Sequence, residues 1–165
     1  MVFISFVASF LMFQSAAAQP SCDTEPYRQF DFWIGTWDVF NAQDEVIGRN
    51  TITAEEDGCL LVERWTGASG NTGQSYNFYD PADQTWRQLW VARGFIIDYR
   101  GGLDAKAHMV LEGMMTPRNG SGPLPFKGRW MPLEDGSVQQ TFWTENGETG
   151  TWELAFDANY RPVPL

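Results

Sequence analysis

The segment Leu60-Leu61-Val62-Glu63-Arg64-Trp65 sets a carboxylate in an apolar run with strand-like alternation. On a strand, Leu61, Glu63 and Trp65 share one face, and Leu60, Val62 and Arg64 share the other. Whichever face turns inward takes one charge with it. Cys59 lies on the Glu63 face, which favours Glu63 as the inward group. A buried carboxylate must be paired, hydrogen-bonded or protonated. It then serves as a polar anchor for a ligand or as a general acid or base. Arg129, alternating with Lys127 and Met131, is the candidate partner. In Trp86-Arg87-Gln88-Leu89-Trp90, the residues Trp86, Gln88 and Trp90 share a face, with an amide between two indoles. An amide both donates and accepts, and aromatic walls with a few placed polar groups make a small-molecule pocket. Two further mixed faces, Ser75-x-Asn77-x-Tyr79 and Gln139-x-Thr141-x-Trp143, read as pocket lining or as ordinary outward polarity, since a one-residue slip inverts a strand.

The remaining chemistry-bearing residues suggest blander roles. His108 is the only histidine and reads as a surface residue rather than a haem or metal ligand. Asp80 and Asp83 flank Pro81, where carboxylates cap turn amides. The loop Gly67-Ala68-Ser69-Gly70-Asn71-Thr72-Gly73 lacks the lysine and following helix of a phosphate-binding loop. No metal site or cofactor is expected. A formal charge of −10 argues against nucleic acid or anionic membrane surfaces as partners.

Residues 1–18 contain no charged side chain and end in Ser15-Ala16-Ala17-Ala18, the pattern of a cleaved secretory signal peptide. The apolar run is shorter than the ~20 residues of a spanning helix. The expected product is one domain over residues 19–165, periplasmic or extracellular and free of the membrane after cleavage. Its two cysteines, Cys22 and Cys59, are expected to pair in an oxidising compartment.

Period-2 patterning dominates the rest of the chain. Strands are expected at 36–41, 46–54, 60–66, 74–79, 85–92, 95–100, 108–115, 126–133, 137–145 and 150–157. Asp135-Gly136 and Asn146-Gly147 are hairpin signals. The longest break, 116–125, is rich in Pro, Gly, Ser and Asn and is a candidate lid. Short links imply antiparallel neighbours, and closure removes the exposed edges of a long meander. The expected fold is all-β: an antiparallel up-and-down barrel of about ten strands, with a short helical turn at 27–34.

Gly35-x-Trp37 after that turn resembles the first conserved region of the calycins, in which the Trp packs across the barrel's closed end. More closely, Phe30-Asp31-Phe32-Trp33-Ile34-Gly35-Thr36-Trp37 resembles a group of uncharacterised secreted bacterial calycin-like proteins. So do Gly58-Cys59, Glu63, Trp65, Tyr79-Asp80 and Trp86-x-Gln88-x-Trp90-Val91. The resemblance covers most of the mature chain. It is distantly lipocalin- and nitrobindin-like, and it implies a barrel with structural roles for Gly35 and Trp37 but no established activity. A late haem-binding His of the nitrobindin kind has no counterpart here.

The resulting expectation is a secreted barrel that binds a small, largely apolar molecule. Trp65, Trp86 and Trp90 would form walls, and Glu63, Gln88 and Arg129 polar anchors. The alternatives are an enzyme using the same cavity with Glu63 as general base, and a glycan- or protein-binding module using surface aromatics.

Overall fold

The computed structural model describes residues 21–147 and 149–164 of the chain; the leader expected over 1–18 lies outside them. After a helical turn, α1 (Glu25–Arg28), and a 3-10 turn (Asp31–Trp33), ten strands follow. They are β1 (Gly35–Phe40), β2 (Val46–Glu55), β3 (Leu60–Gly67), β4 (Thr72–Asp80), β5 (Thr85–Ala92), β6 (Phe95–Leu103), β7 (Met109–Pro117), β8 (Leu124–Pro132), β9 (Val138–Glu145) and β10 (Trp152–Pro162). Each strand pairs with its sequence neighbours, and β1 pairs antiparallel with β10, closing the barrel from Trp37 opposite Pro162 to Phe40 opposite Asn159. Closure leaves no edge strand to template aggregation.

Alternation decides what the interior contains. Along β4, Gly73, Ser75 and Asn77 are buried, whereas Thr72, Gln74 and Tyr76 are exposed. On β8 the buried residues are Phe126, Gly128 and Trp130. Bulky inward residues meet glycines across the ladder: Trp65 pairs with Gly73, Tyr99 with Gly113, and Leu111 with Gly128. Gly35 enters β1 at φ +150°, a backbone conformation open to glycine and strained for other residues. This lets the chain turn from the 3-10 segment into the barrel wall.

Three expectations are refined. The helical turn at 27–34 is split into α1 and the 3-10 turn. The break at 116–125 is narrowed to residues 118–123, because β7 runs on to Pro117 and β8 begins at Leu124. β10 continues to Pro162, five residues past the expected end at 157. The disulfide Cys22–Cys59 is present, with Cα atoms 5.0 Å apart and a sequence separation of 37. It ties the N-terminal arm to the residue preceding β3. Among the described residues, no helix is long and apolar enough to cross a membrane.

Candidate functional site: a hollow above an aromatic plug

The two ends of the barrel are built differently. At one end the N-terminal arm plugs the opening. Phe30 and Trp33 are fully buried and stacked, with ring centroids 5.0 Å apart. Phe30 packs edge-on against Trp86 at 5.6 Å and Trp130 at 5.3 Å. Two hydrogen bonds fix the plug: Trp37 Nε1 donates to the Trp33 carbonyl at 3.0 Å, and Trp86 Nε1 donates to the Pro26 carbonyl at 3.1 Å.

At the other end lies a cavity of about 790 Å³. Its walls are Trp65, Trp90, Ile97, Phe126 and Phe142, and its rim includes Ser69, Asn71, Arg93, Phe95 and Phe156. Two glycines help keep it open. A Cβ at Gly48 would collide with the Trp65 ring, and one at Gly73 with the Trp90 ring, so both indoles lie against the strand wall rather than across the centre.

Between plug and cavity runs a buried belt of hydrogen bonds from β2 to β6. Asn50 Nδ2 donates to Glu63 Oε1 at 2.7 Å, and the Ser75 hydroxyl donates to Glu63 Oε2 at 2.5 Å. Asn77 Nδ2 donates to the Ser75 hydroxyl at 2.8 Å and to the Leu61 carbonyl at 3.1 Å. Gln88 donates to Asn77, and the Tyr99 hydroxyl donates to Gln88. The ladder sets this order, with Glu63 opposite Ser75, Asn77 opposite Gln88, and Gln88 opposite Tyr99.

Glu63 is 3% exposed and contacts the cavity, yet no cation pairs with it among the described residues. Burial raises its pKa from 4.5 to about 7, against the opposing pull of the Ser75 and Asn50 hydrogen bonds. Tyr99 and Tyr160, also cavity-lining, are pushed well above the usual phenol value, first by burial and then by the neighbouring Glu63. Two buried polar atoms on the lining have no partner among the described residues: Gln140 Oε1, an acceptor, and Trp90 Nε1, a donor. The arrangement offers an apolar guest a large aromatic surface and, at its polar end, a poised carboxyl group.

Of the expected site residues, Glu63, Trp65, Gln88 and Trp90 come together around this cavity. Trp86 does not; it belongs to the plug. Arg129 is a correction. It sits on the outer face of β8, with its guanidinium 5.3 Å from the Trp143 ring, and Glu63 is held by Asn50 and Ser75 instead. On β8 the inward residues are Phe126, Gly128 and Trp130, so Arg129 must point out. The face Gln139-Thr141-Trp143 also points outward, where Gln139 and Thr141 donate to Asp157, each at 2.9 Å. The inward set on β9 is Val138, Gln140, Phe142 and Thr144. The segment 116–125 contributes no cavity-lining residue, and the rim is built by the β3–β4 and β5–β6 turns together with Phe156 of β10.

Asn50, Tyr99, Gln140 and Tyr160 are site residues that the sequence reading missed. Asn50 carried a usable signal, since it alternates with Gly48 and Ile52 on a strand whose other face is Arg49, Thr51 and Thr53. Outside the barrel, His108 Nδ1 lies 3.1 Å from Asp104 Oδ2, and Asp80 Oδ1 accepts from the Ala82 amide at 3.0 Å. Among the described residues, no three His, Cys, Asp or Glu side chains gather to hold a metal ion. No known family model matches the chain, and no curated protein matches it either.

Proposed function

We propose that this chain is an exported β-barrel that binds a small, largely apolar molecule in the cavity above the plug. The observation that carries this reading is the hollow itself. Its volume of about 790 Å³ falls within the ~300–1,000 Å³ typical of small-molecule pockets. Its walls are aromatic, and its polar groups are few and prearranged. A barrel needing only stability would fill that space, because empty volume forfeits dispersion contacts. Export is supported by the leader-like residues 1–18 and by a disulfide of the kind that persists in oxidising compartments.

Trp65 and Trp90 make the binding reading testable by intrinsic fluorescence. Titration with a panel of apolar molecules is expected to shift or quench emission saturably, and Trp90→Ala to weaken that response. Unchanged emission across the panel, with Trp90→Ala behaving like the parent, overturns it.

A second reading, catalysis in the same cavity, draws on one observation. A carboxyl held near pKa 7 is poised to take or give a proton at neutral pH. It requires turnover of a cavity-bound substrate with a pH–rate profile breaking near 7 and lost in Glu63→Gln. Binding without turnover rejects it.

A further inference from the structure

Building on the cavity-binding reading, we infer that the guest is an amphiphilic amine: an apolar body against the Trp65 and Trp90 walls and a protonated amino head seated at Glu63. The chemistry of the lining points this way. Glu63 is a buried carboxylate whose two oxygens accept from neutral donors, Asn50 and Ser75, with no cationic partner among the described residues. A buried charge held by neutral hydrogen bonds alone lacks the counter-ion that normally offsets desolvation. An ammonium group supplies that counter-ion and carries several N–H donors. Gln140 Oε1, buried on the same lining without a partner among the described residues, is a further acceptor for them. Aromatic faces favour cations electrostatically, and Trp65, Trp90, Tyr99 and Tyr160 all line this cavity.

An anionic head is disfavoured by the same features. Among the described residues, the only basic side chain on the lining is Arg93, exposed at the rim. A neutral hydroxyl head satisfies Gln140 but leaves Glu63 without a charge partner.

The groups facing Glu63 define how binding responds to pH. From β2 there is Asn50, from β4 Ser75, from β6 Tyr99 and from β10 Tyr160. Both phenols stay neutral through the neutral range, because burial raises them. Glu63 is therefore the group among these that changes charge near pH 7. An amine remains protonated throughout, so its affinity is expected to fall about tenfold between pH 8 and pH 6 as the unliganded carboxylate takes up a proton.

The test compares n-octylamine, n-octanol and octanoate by Trp fluorescence and calorimetry, on the parent and on Glu63→Gln. The expected result is a preference for octylamine over octanol of tenfold or more at pH 8, with octanoate weakest. In Glu63→Gln that preference disappears, with near-UV circular dichroism showing that the variant is folded. Octanol or octanoate binding as tightly as octylamine overturns the amine assignment and leaves the cavity reading standing. So does an amine preference that survives in Glu63→Gln. If none of the three binds, both readings fail together.

Discussion

The two ends of the barrel use similar side chains to opposite effect. At the plugged end, Phe30, Trp33, Trp86 and Trp130 interlock at centroid distances of 5.0–5.6 Å. At the open end, Trp65 and Trp90 lie back against Gly48 and Gly73, leaving the centre empty. Aromatic content alone therefore does not separate a core from a pocket. What separates them is whether a third element, here the N-terminal arm, inserts between the walls, and whether small residues behind the rings let them lie flat. Stability should concentrate at the first end and binding at the second.

Substitutions can break that comparison. Trp33→Ala is expected to have the largest effect on stability, about 3–5 kcal/mol. It removes a fully buried indole that stacks on Phe30 and packs against Trp130. Trp90→Ala, whose ring faces the hollow on one side, should cost far less stability and act on binding. Chemical denaturation of the two variants side by side checks this, and equal losses would erase the distinction. Removing the disulfide by Cys22→Ser with Cys59→Ser comes next, at about 2–5 kcal/mol, because it frees the arm that carries the plug. Loss of the Phe30–Trp33 stack should follow and can be read from near-UV circular dichroism.

Glu63 sharpens the comparison from the polar side. In the folded state its carboxyl titrates near 7, above its ordinary 4.5, so folding favours the protonated form. Its stabilising contribution is fully present below about pH 4.5 and is lost as pH rises through 7. Glu63→Gln should match the parent's stability in acid and exceed it by about 3 kcal/mol at pH 8. Parallel pH–stability curves for the two proteins would contradict this. The smallest effect belongs to the outer face. Arg87 and Asp98 pair at 2.7 Å across β5 and β6, and Arg87 holds the Asp98 pKa below its usual value. Both side chains are solvent-accessible, so Asp98→Asn should cost less than about 1 kcal/mol and leave binding unchanged.

Much of the barrel is legible in the sequence because turn residues and alternation are local signals. Asp135-Gly136 does sit between β8 and β9, and Asn146-Gly147 between β9 and β10. The side of Glu63 is also legible, through the cysteine that precedes its strand. The partner of Glu63 is not. Alternation says which residues share a face, but not which distant strands meet across the interior, and so the expected Glu63–Arg129 pair fails: the two side chains lie on opposite faces of the wall. Trp86 and Trp90 illustrate a second limit. They share a face, yet a four-residue step along the strand separates them by about 13 Å, enough to put one in the plug and the other in the hollow. Gln139 and Gln140 illustrate a third: of two adjacent amides, only the register assigns Gln140 to the cavity.

The most direct test of the hollow end as a binding site is calorimetric titration with Nile red, a neutral apolar probe, of the parent and of Thr144→Trp, which places an indole on the cavity lining. Saturable binding of one probe per chain in the parent, weakened at least tenfold in a folded Thr144→Trp variant, is the expected result. Equal binding by the two proteins, or no saturable binding by the parent, would contradict it.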